Sequence, residues 1–278
     1  MSMNYSVLMS VYYKEKPEAL KDAMDSIWNQ TVKPDDFVLV CDGELTKDLD
    51  SVVEEMAQNH KELNVIRLSE NGGLGKALNI GLKLCKNELI ARMDSDDISR
   101  PNRCERQLKV FEDNPDLSIC SGTVEEFTKD LNVINLRRVL PEKNPEIKEF
   151  AKKRNPFNHP CVMYKKTDVE KAGGYKDFYL LEDYYLWIRM IQGGCTGYNI
   201  QEPLLWMRAG SDMYKRRAGL KYGISQVKLF WYMKKTKFIG NLQFVKSAVQ
   251  RLIISLVPNG LRQMLFSLLL RNKHENGD

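Results

Sequence analysis

Residues 92–98 read Arg-Met-Asp-Ser-Asp-Asp-Ile, which puts Asp94, Asp96 and Asp97 within four positions after the apolar run Leu89-Ile90-Ala91. Carboxylates this close disfavour one another's ionised form. Side chains two apart on a strand point the same way, so Asp94 and Asp96 are expected to face one site, with Ser95 and Asp97 turned away or starting the turn. A divalent cation removes the conflict, and hard oxygen ligands suit Mg²⁺ or Mn²⁺. One or two protein carboxylates are too few for a closed cage, which leaves the shell open to water and a substrate phosphate. A second reading stays open. Asp-Ser-Asp-Asp ahead of Ile-Ser-Arg-Pro-Asn-Arg suits the start of a helix, and Asp97 can cap while Asp94 and Asp96 bind.

A second acidic pair, Glu182-Asp183, opens an amphipathic stretch over residues 182–192 with Tyr185, Ile188, Met190 and Ile191 on its apolar side. Acidic residues in a first helical turn are favoured by the helix dipole, so capping alone would explain them. His159, in Phe-Asn-His-Pro-Cys, reads equally as a loop residue or as part of a site. Trp187 and Trp206 read as core or as acceptor-facing.

These residues need elements to hold them. Strand-like runs at 5–13, 36–43, 63–69, 88–94 and 117–127 alternate with helix-like runs at 17–30, 46–60, 74–85 and 100–115. In the helix at 17–30, Leu20, Met24, Ile27 and Trp28 form one stripe; in the helix at 74–85, Leu74, Leu78 and Leu82 are four apart. Alternation at this spacing predicts an α/β fold with a parallel sheet and helices on both faces. Ligands of such sheets bind beyond the carboxyl ends of the strands, where strand order reverses. Those ends carry Tyr12-Tyr13 and Glu15, Cys41-Asp42-Gly43, Asn71-Gly72-Gly73, and Asp94 to Asp97. After residue 135 the pattern weakens, and 154–166 reads as a loop entering a strand.

Five stretches in order resemble the inverting family 2 glycosyltransferases of the GT-A fold, over about residues 4–210. They are Ser-Val-Tyr-Tyr-Lys-Glu with Ser-Ile-Trp-Asn-Gln-Thr, Val-Leu-Val-Cys-Asp-Gly-Glu, Asn-Gly-Gly-Leu-Gly-Lys-Ala-Leu-Asn-Ile-Gly, the Asp-Ser-Asp-Asp stretch with Arg-Pro-Asn-Arg, and Leu-Glu-Asp-Tyr-Tyr-Leu-Trp. The resemblance implies a bacterial polysaccharide-assembly enzyme that moves a sugar from a UDP-sugar to a hydroxyl. It makes Asp96 the direct metal ligand and Asp94 a partner of the metal shell or the ribose. Asp42 would accept from the uracil ring, with Cys41 standing where the family usually has a further aspartate. Tyr12, Glu15, Asn71, Gly73, Ser95 and Arg100 would line the nucleotide-sugar site, Arg100 reaching the diphosphate or remaining a surface cation. Asp183 would be the general base and Glu182 its neighbour, with His159 and Trp187 beside the acceptor. Galactose, glucose and their N-acetyl forms stay open as the sugar.

The bulk composition narrows the classes. The chain has 278 residues, 43% hydrophobic and 28% charged, and a mean hydropathy of −0.43. No apolar run is long enough to span a bilayer, and the N-terminus reads as a strand rather than a signal peptide. Six separated cysteines without a Cys-x-x-Cys pair point to reduced cytosolic thiols. The segment Lys221–Asp278 holds ten Lys/Arg against two Asp/Glu, a net +8, while the rest carries −3. Its leucine stripes (Leu252, Ile253, Leu256 and Val257, then Leu261, Leu265, Leu268 and Leu269) flank Pro258-Asn259-Gly260 and are bordered by Lys246, Arg251, Arg262 and Arg271. Basic amphipathic helices of this kind lie on anionic leaflets; a hairpin packed on the catalytic domain and a homodimer contact remain open. The expected organisation is a catalytic domain at 1–215, with a nucleotide half at 1–130 and an acceptor half at 131–215, and a basic tail at 216–278. The membrane reading fits a polyprenyl-linked acceptor and a peripheral enzyme on the cytoplasmic, inner face of the cell membrane.

Other classes fit less well. A nicotinamide dehydrogenase would need Gly-x-Gly-x-x-Gly after the first strand, and a P-loop would need a glycine where Glu70 stands. The basic tail is too apolar for a solvated nucleic-acid arm. A sugar-1-phosphate nucleotidyltransferase also uses paired aspartates and a metal, and a non-catalytic sugar-nucleotide binder is the non-enzyme alternative.

Overall fold

The structure is a computed structural model that describes residues 3–209 and 219–256. Its first half alternates as expected: β1 (Tyr5–Val11), α1 (Pro17–Trp28), β2 (Asp36–Cys41), α2 (Lys47–Asn59), β3 (Leu63–Arg67), α3 (Leu74–Leu84) and β4 (Leu89–Asp94). These four strands pair in parallel, in the order β3-β2-β1-β4. The chain steps outward from β1 to β3 and then returns to the other side of β1, so strand order reverses between β1 and β4. Near-continuous apolar runs form the central strands because helices cover both faces; every residue of β2 is buried. The α1 stripe of Leu20, Met24, Ile27 and Trp28 is buried as expected.

The second half holds β5 (Ile98–Ser99), α4 (Arg103–Asp113), β6 (Ile119–Phe127), β7 (Ile134–Arg138), α5 (Asn144–Ala151), a 3₁₀ turn at His159–Cys161, β8 (Met163–Lys165), α6 (Lys166–Lys171), α7 (Glu182–Gln192) and β9 (Gly197–Arg208). The sheet is mixed rather than purely parallel. β8 enters antiparallel between β4 and β6, so β6 keeps the direction of β4 without touching it. β8 is the strand that the 154–166 loop is expected to enter, and three residues are too few to show its direction. β9 runs parallel to β6, and β5 and β7 close the edges antiparallel. One sheet thus runs through both expected halves of the catalytic domain.

Two local readings are corrected. α4 begins at Arg103 rather than at 100, because Ile98–Ser99 pairs with β9 and the Arg100 N–H donates to Leu204 O at 2.9 Å. Its N-cap is Asn102, so Asp97 caps no helix. On α7 the buried residues are Tyr184, Leu186, Trp187, Ile188, Met190 and Ile191. Tyr185 instead lies half-buried with the Arg189 guanidinium 4.6 Å from its ring centre.

The chain divides into two compact units. The first comprises residues up to Asp177 and Glu182–Ala209; the second joins Phe178–Leu181 to the C-terminal part. The expected boundary at 215/216 falls outside the described residues, as do Val257, Pro258-Asn259-Gly260, Leu261, Arg262, Leu265, Leu268, Leu269 and Arg271. Within the second unit the helices Leu220–Lys235 and Asn241–Leu256 pack together and bury Leu229, Phe230 and Met233. Leu220, Ile224 and Trp231 on the first helix, and Leu242, Val245 and Val249 on the second, are exposed. No helix among the described residues is long and apolar enough to cross a membrane.

Candidate active site

Register builds the site. Ser10 pairs with Asp94 across β1 and β4, and Val11 with Cys41 across β1 and β2. The chains therefore leave the sheet side by side at Tyr12, Asp42 and Ser95. α3 approaches this edge closely because Gly81 lacks a side chain: a Cβ there would lie 2.4 Å from Leu8 Cδ1 and 2.7 Å from Val40 Cγ2. Asp42 is buried, and its two carboxylate oxygens accept the Gly72 and Gly73 N–H groups at 2.7 and 3.0 Å. The Asn71 side-chain amide donates to the Asp42 carbonyl at 3.1 Å. Glu15 accepts from Ser95 Oγ at 3.1 Å and closes the turn begun at Tyr12 O. Tyr12, Glu15, Asp42, Asn71, Gly73 and Ser95 are thus gathered on one edge.

Asp94, Asp96 and Asp97 offer carboxylate oxygens within 4.8 Å of one another, the only such metal-ligating cluster among the described residues. β4 ends at Asp94, so strand alternation does not govern the residues after it, and Asp97 turns inward instead of away. It is 1% exposed. Its Oδ1 accepts the Arg208 N–H at 2.8 Å, while Oδ2 meets no protein donor. Burial, then the charges of Asp96 and Asp94, push its carboxyl well above the usual range. An orphaned buried oxygen in a set of three hard carboxylate ligands fits a divalent cation, whose charge would offset the repulsion from Asp94 and Asp96.

Behind the cluster lies Arg92, unassigned from sequence although it stands two positions before Asp94 on the same strand face. Its Nη2 donates to Asp94 Oδ1 at 2.5 Å. Around it sit Tyr164 of β8, Tyr175, and His159, whose Nε2 is 2.9 Å from Tyr175 Oη. Burial, and then the Arg92 charge, hold the His159 imidazole neutral. His159 is not in the carboxylate cluster. Trp187 is fully buried and packs against His159, Tyr164 and Tyr175. It therefore backs the site, and the acceptor-facing reading is set aside because no part of its side chain reaches solvent.

α7 carries the second acidic pair to the same place. Asp183 Oδ2 accepts the Asn155 amide at 2.6 Å and Oδ1 the Tyr184 N–H at 2.6 Å. Burial, then the Asp183 charge, raises Glu182 to about 7, with Arg92 pulling the other way. Tyr175 lies close enough to feel both Asp183 and Asp94, and a Cβ on Gly75 would meet Tyr175 and Glu182 at 3.5 and 3.8 Å. Arg100 pairs with Glu125 and lies 4.2 Å over the Trp206 ring. Glu125, shared with Arg137, stays ionised despite its burial.

A family model described as "Glycosyl transferase family 2" matches residues 6–172. The chain is a family 2 glycosyltransferase. Its activity is transfer of a glycosyl group, with the inversion general to that family. The enzyme is 38% identical over 267 residues to an Escherichia coli protein named UDP-Gal:alpha-D-GlcNAc-diphosphoundecaprenol beta-1,3-galactosyltransferase, covering 96% of each chain. It is 41% identical to the amylovoran biosynthesis glycosyltransferase AmsE of Erwinia amylovora, covering 90% of this chain and 94% of that one. Among solved structures, the Pyrobaculum calidifontis mannosyltransferase PcManGT in complex with GDP-Man and Mn²⁺ superposes with a TM-score of 0.63 at 14% identity, over 97% of this chain and 81% of that chain. S. aureus TarS 1-349 in complex with UDP-GlcNAc gives 0.63 at 17% identity, over 98% and 77%. The glycosyltransferase therefore shares the GT-A fold and has relatives in bacterial polysaccharide synthesis.

Proposed function

We propose that this glycosyltransferase moves a hexose from a UDP-sugar to a hydroxyl of a lipid-linked saccharide at the inner face of the cell membrane, with Mn²⁺ or Mg²⁺ as cofactor. The observation that carries the reading is the meeting of two acidic groups, Asp94-Asp96-Asp97 and Glu182-Asp183, around one buried cation, Arg92. Asp94, Asp96 and Asp97 would hold the metal, which supplies charge neutralisation for the departing diphosphate. Asn71 and the Gly72-Gly73 backbone, held by Asp42, would approach the nucleotide. Each Asp42 oxygen has two lone pairs, so contact with the uracil ring would use the pair that the glycine N–H leaves. Tyr12, Glu15 and Ser95 would line the same pocket, and Arg100 would reach the diphosphate from its seat on Trp206.

Asp183 is the general base of the proposal: it takes the acceptor proton as the hydroxyl attacks the anomeric carbon. Asn155 fixes its orientation, and Glu182 orients the base or the acceptor. His159, neutral and bonded to Tyr175, borders the acceptor side. The named activity of the E. coli relative supports a UDP-hexose donor and a diphosphoundecaprenol-linked acceptor. For the membrane face, support comes from the net +8 of Lys221–Asp278 and from the exposed stripes Leu220-Ile224-Trp231 and Leu242-Val245-Val249.

A panel of UDP-sugars scored for Mn²⁺-dependent UDP release tests the reading. One UDP-hexose should turn over, and Asp183→Asn should lower that rate by roughly 10²–10⁴-fold with nearly unchanged donor binding. Full activity in Asp183→Asn would remove Asp183 as the base.

A further inference from the structure

Burial opposes the Arg92 charge, while Asp94, Tyr175 and Tyr164 favour it. The Arg92 side chain is 1% exposed and, among the described residues, has one salt-bridge partner, Asp94, whose side chain is 34% exposed. Nε and Nη1 find no acceptor among the described residues. Stranding a buried cation is strongly destabilising, whereas an apolar residue of similar volume in its place is often neutral or better. The backbone gives Arg92 no freedom to escape. Its N–H donates to Val162 O at 2.9 Å, and its carbonyl accepts Arg103 Nη2 at 2.7 Å.

The guanidinium nevertheless stands where both acidic groups of the site feel its charge. Its charge acts on Asp94, to which it is hydrogen-bonded, and on Asp97, His159, Tyr175 and Glu182. We infer that Arg92 is a positioning residue that clamps one oxygen of Asp94 from inside the core, leaving the other to the cleft, and that it is held there at the expense of stability. The kinetic part of this inference rests on the proposed UDP-sugar transfer; the stability part does not.

The pair is asymmetric, and that asymmetry is measurable. Asp94 without Arg92 can be hydrated; Arg92 without Asp94 cannot. Calorimetry without nucleotide on the full chain should give Arg92→Met a Tm at or above wild type. Asp94→Ala should lose on the order of 5 °C, and Arg92→Met/Asp94→Ala should recover most of that loss. With the UDP-sugar that wild type uses, and Mn²⁺, Arg92→Met should lower kcat/KM at least tenfold, mainly through donor KM, and Arg92→Lys should recover part of it. A merely structural role would move Tm and leave donor KM unchanged. Additive Tm changes, an Arg92→Met variant that does not fold, or a donor KM within twofold of wild type in both Arg92 variants would each overturn the inference. A wild-type chain that turns over no UDP-sugar would sink the proposed function alone, because the Tm pattern would still decide whether Arg92 is stranded.

Discussion

At the scale of single residues, the site rests on carboxylates whose surroundings set their charge. Glu182 shows how this can be checked. Its folded carboxyl is raised to about 7 from 4.5, by burial first and Asp183 second. The folded state therefore holds that proton more tightly than the unfolded state, and its contribution to stability is lost as pH rises from about 4.5 through 7. Glu182→Gln keeps the neutral form at every pH. Thermal melts should put this variant at or above wild type beyond pH 7, with the difference vanishing below pH about 4; equal melts at pH 8 would mean that Glu182 is not raised. In turnover, Glu182→Gln should cost less than Asp183→Asn, since orientation is lost but the base remains. The carboxylates were legible in the sequence because three acids in four positions demand an explanation. The inward turn of Asp97 was not, because it is fixed by an N–H from Arg208, far along the chain. Arg92 could have been read from strand alternation, which puts residues 92 and 94 on one face.

At the scale of elements, the loop before α3 shows what positions the nucleotide edge. Gly73 has φ 86° and ψ 157°, a region open essentially to glycine alone. A Cβ there would meet nothing within 4 Å, so Gly73→Ala carries backbone strain only. Gly43 also has a positive φ, and its Cβ would lie 2.8 Å from Asn71 N. Gly43→Ala should therefore lower Tm more than Gly73→Ala, which itself should cost on the order of 1–3 kcal/mol. The reverse order in a melting series would refute this account of the loop. The parallel first half was readable because each strand and helix showed its own period. β5 was not, and β8 was readable only as the strand that the 154–166 loop enters, without its neighbours or direction: three-residue and two-residue strands are placed by their partners, β4 and β6 for one and β9 for the other. The late start of α4 has the same origin, since pairing with β9 holds residues 98–100 extended.

At the scale of the whole molecule, charge and apolar surface are sorted along the chain. The mildly acidic part carries the site, and the basic part carries the exposed stripes of the two C-terminal helices. Lys234 and Lys235 lie 5.3 and 5.4 Å over the rings of Phe244 and Trp231, an arrangement of basic and aromatic side chains suited to a lipid interface. In flotation with phosphatidylcholine vesicles containing phosphatidylglycerol, wild type should float, and it should float less on phosphatidylcholine alone or at high salt. Leu242→Glu/Val249→Glu should stay in the pellet fraction; flotation equal to wild type would show that this stripe is not the membrane face. The charge bias was legible in the sequence, because net charge needs no fold; these exposed stripes were not, since the leucine stripes read from sequence begin only at Leu252.

The most direct test of the site as a whole is calorimetric titration of UDP into the full chain with Mn²⁺ and with EDTA. UDP is expected to bind with Mn²⁺ and to lose most of its affinity with EDTA or in Asp96→Ala. Equal binding under all three conditions would contradict a metal held by Asp94, Asp96 and Asp97.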